Sequence, residues 1–299
     1  MERRIFGKTA MAVSALGLGS SEIGYEDVKP GAIDRMLASA VDAGLNLIDT
    51  APCYGNAEEL IGAAIGDRRD KYFILTKCGH SSGLSHRDWS PALIEPSIER
   101  SLKRLRTDRV DLVQLHGPTD EVLRRGEVTA ALKRARDRGL TRFIGYSGDG
   151  EGAMIAVKSG DFDTLQISVS IADQEAIDGA IAEAAKRGMG VIAKRPIANA
   201  VWVKPAGSWL DSYFRAYRDR LKRLDYDFLK ASARESVAMA IRFTLSVPGV
   251  HTAIVGTTQP GRWQHNADAI AAGPLPKTDY EMIRERWRIV SKPNWVGQR

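Results

Sequence analysis

Short apolar runs, eight in all, alternate with helical patterns along 299 residues, and most of them end at a polar residue or a turn. Strands that alternate with helices predict an α/β fold built on a parallel sheet. Eight such units in a chain of this length predict closure into a (β/α)8, or TIM, barrel. A third observation says where such a barrel would work. In the stretch Leu47 to Gly55, LIDTAPCYG, an apolar strand ends at Asp49, and Tyr54 follows five residues later beside a turn-forming glycine. An unpaired buried carboxylate is costly, so an aspartate at the end of an apolar strand is expected to have a task.

The opening RRIFGKTAMAVSALGLGS reads as a small hairpin, Arg3 to Phe6 and Met11 to Val13, followed by a first core strand, Ala15 to Gly19. The remaining strands are expected at Leu45–Asp49, Tyr72–Lys77, Val110–His116, Arg142–Ser147, Thr164–Ser168, Gly190–Lys194 and Thr252–Val255. Their apolar runs and Gly or Asp punctuation set these limits. Helices are expected at Ala32–Ala43, Ala57–Ile65, Pro91–Leu105, Val122–Arg138, Gly152–Ser159, Asp173–Arg187, Ser232–Leu245 and Pro260–Ala271. Ser232 with Glu235 is a capping box, which fixes one of these starts. The stretch from Ile197 to Lys230 breaks the rhythm and carries Trp202, Trp209, Tyr213, Phe214, Tyr217 and Tyr226. It reads as a long loop after strand seven that lids a site, with Phe214 to Leu224 as a surface helix inside it. No linker or low-complexity segment interrupts the chain, so one domain over residues 1–299 is expected.

A hydrophobic content of 43% supports a core of ordinary size. The net charge of +6 is spread out, with no Lys/Arg run interleaved with aromatics. That argues against nucleic acid as a partner and leaves room for a small anionic ligand. The basic residues of MERRIFGKT precede no signal-like apolar stretch, and no run reaches the length of a membrane span. Cys53 and Cys78 form no CxxC and no disulfide framework. The five histidines show no metal spacing, and no metal is expected. A cytoplasmic, thiol-reduced protein is the expectation.

Active sites of such barrels lie at the C-terminal strand ends. Read in order, those ends carry Asp49, Lys77, His116, Ser147, Gln166 and Lys194. Alternate strand residues face the same way. Leu47 therefore shares a side with Asp49, Leu75 with Lys77, and Leu112 with His116. Strands two to four are neighbours about 4.8 Å apart, so Asp49, Lys77 and His116 can meet, with Tyr54 folded over them. A phenol titrates near pH 10 and is a poor acid at neutrality. An adjacent ammonium favours the phenolate, and the aspartate would hold that ammonium in place. A histidine nearby can donate to a carbonyl oxygen. Together they would supply a proton donor and an oxyanion site.

These motifs resemble the aldo-keto reductase family over nearly the whole chain. The resemblance covers the hairpin with VSALGLGS, LIDTAPCYG, ILTKCG, LVQLHGP, GVIAKRPIA and AIVGTTQPGRWQHN, in the family's order. It implies hydride transfer from a nicotinamide cofactor, usually NADPH, to an aldehyde or ketone. Asp49, Tyr54, Lys77 and His116 would be the catalytic four, with Tyr54 as general acid. Ser147 and Gln166 would hold the nicotinamide carboxamide. No Rossmann fingerprint is present, and the YxxxK spacing of Tyr226 and Lys230 has no glycine-rich loop upstream.

The nucleotide is expected instead on the segment after strand eight, Gly256, Thr257, Thr258 and the residues to Arg262, at a helix N-terminus. Arg262 is expected at a ribose 2′-phosphate and Asn266 at the adenine. No acidic residue occurs between Gly256 and Asn266 to oppose that phosphate. Departures from the family are Gly148 after the serine, Lys194-Arg195-Pro196 where a stacking residue precedes Ser-Pro, and the lack of a basic residue at Gly256. Lys194 and Arg195 are expected at the pyrophosphate or an acidic substrate. Trp89, Trp202 and Trp295 are candidates for the pocket of a small carbonyl substrate. Two other functions compete with the reductase: a nicotinamide-nucleotide sensor of the same fold with little turnover, and a Schiff-base aldolase using Lys77 or Lys194.

Overall fold

A plug closes one end of the molecule. In the computed structural model, which describes residues 1–26, 29–204 and 211–298, β1 (Arg3–Ile5) and β2 (Ala12–Ser14) pair antiparallel. Phe6, Met11 and Val13 from this hairpin enter the barrel base and meet Leu47, Leu75, Leu112, Ile192 and Ile254. Phe6 is fully buried, and burial of one such side chain contributes about 1.5–3 kcal/mol. The hairpin tip is locked by backbone contact. Lys8 N–H donates to the Gly188 carbonyl at 2.7 Å. Gly7, at φ +52°, lies so close to Gly190 that a Cβ would come within 2.4 Å of its nitrogen.

The barrel follows as β3 (Leu16–Gly19), β4 (Leu47–Asp49), β5 (Phe73–Cys78), β6 (Val110–His116), β7 (Thr141–Ser147), β8 (Thr164–Ser168), β9 (Gly190–Lys194) and β10 (Thr252–Gly256). All eight are parallel to their neighbours, and β10 closes onto β3. Alternation works as expected: the inward residues Leu47, Leu75, Leu112, Ile192 and Ile254 form one inner core. The outward ones, such as Ile48, Ile74, Cys78, Val113 and Ile144, pack against the helices. This parity raises Asp49, Lys77, Gln114 and His116 as a polar layer above an apolar interior.

Several elements differ from expectation. The helix expected over 122–138 is two, Asp120–Arg125 and Glu127–Asp137, because Gly126 turns the backbone to φ +70° between them. The first is capped by the Thr119 hydroxyl, which accepts from Val122 N–H at 3.3 Å. The helical turns expected from Asp173 begin only at Ile177, since Ser170 and Asp173 are joined as an isolated bridge. Lys277–Val290 forms an added helix that buries Ile283 and Trp287.

In the long segment after β9, Asp211–Leu224 is helical, and Phe214, Tyr217, Leu221 and Leu224 are buried on its inner face. This helix is anchored in the main core. Trp209 lies outside the described residues. Tyr226 donates to the Ile171 carbonyl at 3.1 Å while Lys230 pairs with Asp227, so their spacing is structural. Among the described residues no helix is long and apolar enough to cross a membrane.

Candidate active site

At the top of β4, β5 and β6 a buried polar cluster occupies the barrel mouth. Lys77 Nζ donates to Asp49 Oδ2 at 2.5 Å and to the Thr50 carbonyl at 2.9 Å. Gln114, one strand over, donates to the other oxygen of Asp49 at 3.1 Å. The ammonium lies 4.9 Å from the centre of the Tyr54 ring. The His116 ring meets the Tyr54 ring edge-on at 5.9 Å. Tyr54 itself is placed by backbone packing. A Cβ on Gly24 would come within 1.9 Å of the Tyr54 carbonyl oxygen, and one on Gly55, at φ +51°, within 2.3 Å of the Gly24 carbonyl. Only glycine at both positions lets these two turns touch.

The electrostatics differ from the expectation of an acidified phenol. Burial pushes the Tyr54 hydroxyl up to about 12, although Lys77 opposes this by its charge and by a hydrogen bond. Loss of solvation outweighs the ammonium. Burial also works against the charge on Lys77, but Asp49 and the Tyr54 oxygen more than offset it, and the lysine stays above its ordinary value. Burial first, and then Lys77 and Lys194, hold His116 well below the ordinary histidine range. The imidazole is neutral at neutral pH. Its Nδ1 lies 3.5 Å from the Cys53 sulfur. Burial keeps that thiol protonated, so it can donate to Nδ1 and leave Nε2–H free for a substrate oxygen. Cys53, Lys77, His80, Ser82 and His116 pack closely here and leave no space that a water molecule could enter between them.

Ser147, at the top of β7, is in register with His116 on one side and Gln166 on the other. Both amide atoms of Gln166 are buried without a hydrogen-bond partner. Above them Lys194 crosses β8 to pair with Asp149 at 2.9 Å. Asp149 also accepts from the Ser168 N–H at 2.7 Å and the Ser168 hydroxyl at 3.2 Å. Burial opposes its charge, but Lys194 and Arg195 hold the carboxyl below the usual range. Arg195 bonds the Ser168 hydroxyl at 2.8 Å and the Gln298 carbonyl at 2.7 Å. The C-terminal tail is thereby strapped across the mouth, with Gly297 against the Asp149 carboxylate and Arg220 donating to the Val296 carbonyl at 2.7 Å. Next to this network, burial and then Asp149 push Asp173 up to about 7, despite Arg220 at 3.7 Å.

The segment from Gly256 runs into the helix Pro260–Ala271. Thr257 accepts from Gln259 N–H at 3.1 Å, Asn266 is buried, and Arg262 is exposed on the first turn. The absence of acids near this segment holds only along the sequence. Folding brings Glu22 against Gly256, and Thr258 donates to Glu26 at 2.7 Å.

Compared with known proteins, residues 15–288 match the model of the aldo/keto reductase family. The chain belongs to this family. It is 27% identical to L-galactose dehydrogenase of Arabidopsis thaliana, over 95% of this chain and 93% of that one. The crystal structure of a putative aldo-keto reductase from Pseudomonas aeruginosa is 32% identical, with a TM-score of 0.71, covering 90% of this chain and 94% of that one. A Klebsiella pneumoniae aldo-keto reductase crystallised with NADPH is 24% identical, covers 98% of this chain and 97% of its own, and has a TM-score of 0.76; it is similar in fold.

In this aldo/keto reductase the three candidate tryptophans separate. Trp89 lies at the mouth, its ring 5.0 Å from His80, which in turn stands 5.5 Å from His116. Trp202 donates to Ser236 at 2.9 Å, and Trp295 is packed against Trp287 and beneath Arg220. Sequence reasoning missed Gln114 and Asp149. Gln114 carried a signal: it shares the parity of Leu112 and His116. Asp149 carried none, since its partners come from β8, β9 and the tail.

Proposed function

We propose that this aldo/keto reductase reduces an aldehyde or ketone to an alcohol with NADPH, reversibly, with Tyr54 as the proton donor. The observation that carries the reading is the ammonium of Lys77, held by Asp49 at 2.5 Å and set 4.9 Å from the Tyr54 ring. The residues present suit a nicotinamide nucleotide. The unpartnered amide of Gln166, beside Ser147, offers a donor and an acceptor to a carboxamide. Gly256, Thr257, Thr258, Arg262 and Asn266 offer backbone, hydroxyl and cationic groups to the phosphate and adenine end. Lys194 and Arg195 stand at the top of β9 between these two ends, held by Asp149, Ser168 and the Gln298 carbonyl, and would reach the pyrophosphate only by giving up those partners.

When bound, the reduced nicotinamide supplies a hydride to the carbonyl carbon. Tyr54, protonated throughout the neutral range, donates its proton to the carbonyl oxygen. Lys77 stabilises the phenolate as it forms, because its charge is fixed in place before the reaction. Asp49 and Thr50 hold the ammonium, and Gln114 holds Asp49. His116, neutral, donates from Nε2 to the same oxygen and orients the carbonyl. In the reverse direction the phenolate takes the proton of the alcohol. The charge held on Lys77 counts against an amine nucleophile at that residue, and so against the aldolase reading through Lys77.

A second reading, a coenzyme-binding sensor with little turnover, is favoured by the close packing beside His116, which leaves no water-sized space for a substrate carbonyl. One experiment separates the two: a panel of aldehydes, ketones and sugars assayed for NADPH and NADH consumption with the wild type and Tyr54→Phe. The reductase reading expects turnover that falls about a hundred- to ten-thousandfold in the variant, with coenzyme binding retained. Tight NADPH binding without turnover on any carbonyl would favour the sensor.

A further inference from the structure

Two carboxylates stand on the segment expected to take the coenzyme phosphates. The register of the barrel seam puts them there. Gly256 at the end of β10 pairs with Gly19 at the end of β3, and the helix Ser21–Tyr25 starts two residues later. Glu22 lies so close to Gly256 that a Cβ there would fall 1.7 Å from its Oε2. No side chain, basic or otherwise, fits at position 256 while Glu22 keeps this place. Ser21 Oγ donates to the same Glu22 oxygen at 2.8 Å. Glu26 accepts from the Thr258 hydroxyl at 2.7 Å. Lys204, from the loop after β9, lies close enough to feel Glu22, Arg262 and Glu26. The segment thus meets acids as well as bases.

We propose that Glu22 and Glu26 set the coenzyme preference of this enzyme, reducing the advantage of a 2′-phosphorylated nicotinamide dinucleotide over the unphosphorylated one. The inference rests on the coenzyme reading above. A ribose 2′-phosphate carries up to about two negative charges. Arg262 can grip it with two parallel N–H bonds, while carboxylates nearby repel it. A free 2′-hydroxyl is instead a donor, and a carboxylate is its ordinary acceptor in dinucleotide sites. Arg262 and the two glutamates therefore pull in opposite directions, and the measured preference is their difference.

The test uses the full-length protein with NADPH and NADH as probes, their dissociation constants taken from quenching of tryptophan fluorescence. Glu22→Gln, Glu26→Gln and the double variant are compared with the wild type, with Arg262→Ala as the opposing variant. The double variant is expected to bind NADPH about tenfold more tightly relative to NADH, and the gain is expected to shrink in about 0.5 M salt. Arg262→Ala is expected to move the ratio the other way. An unchanged ratio in the double variant, with thermal unfolding like the wild type and a clear shift in Arg262→Ala, overturns the inference and leaves the coenzyme reading standing. Failure of the wild type to bind either nucleotide overturns both.

Discussion

Asp49 and Lys77 form an ion pair at 2.5 Å in which each side chain is only 2% exposed. A pair this deep costs more to break than to replace. Lys77→Met leaves Asp49 with Gln114 as its only side-chain donor among the described residues and is expected to lower stability by about 3–5 kcal/mol. Lys77→Met combined with Asp49→Leu is expected to recover much of that loss while remaining inactive. Urea unfolding of the two single variants and the double variant measures the coupling, and additive losses would contradict it.

The titration pattern of the mouth predicts a flat rate profile. Tyr54 keeps its proton up to about 12, and His116 stays neutral down to well below its ordinary value. Neither group changes charge between about pH 7 and pH 10, so kcat for reduction is expected to be level across that window. Oxidation of an alcohol needs the phenolate and is expected to rise with pH instead. An inflection near pH 7 in the reduction profile that disappeared in His116→Gln would show that the histidine acts in its charged form.

Asp173 gives stability a pH dependence of its own. Its folded-state value is about 7, above its unfolded value. Between the two, the folded chain keeps a proton that the unfolded chain has released, so stability falls as pH rises through that interval. The effect is at most about 4 kcal/mol. Wild type minus Asp173→Asn, compared by urea unfolding at about pH 5 and about pH 8, is expected to favour the wild type at the lower pH and the variant at the higher.

The tail strap depends on a glycine. A methyl group at Gly297 would lie 2.4 Å from the Asp149 carboxyl carbon. Gly297→Ala is therefore expected to lift residues 296–298 off the mouth and to remove the carbonyl partners of Arg195 and Arg220. Faster hydrogen exchange of the tail amides, with the barrel amides unchanged, is the expected result. Unaltered exchange at the tail would mean that the strap accommodates the methyl.

The strands and three of the polar groups above them were legible because both follow from one local rule. Period-two alternation places Leu47, Leu75 and Leu112 inward and, on the same side, Asp49, Lys77 and His116. The lone glycine at 126 was a visible break that a continuous helical pattern concealed. The Lys277–Val290 helix was not expected, although Tyr280, Ile283, Trp287 and Val290 stand at helical spacing along it. What could not be read was everything that ring closure creates. Glu22 reaches Gly256, and Asp149 reaches Gly297, across more than half the chain or half a barrel. The net effect on Tyr54 was illegible for a related reason: the sequence names the ammonium but not the depth of burial that outweighs it.

The seam between β10 and β3 joins residues 253–256 to residues 16–19. The ring therefore closes only once two segments far apart in the sequence have found each other, a slow kind of contact for a chain to make. Without β10, strands β3 to β9 can form only an open sheet with an unpaired margin on either side, an arrangement prone to sticking to its neighbours. Overproduction of fragments that stop short of Thr252 should give aggregates rather than a smaller working enzyme.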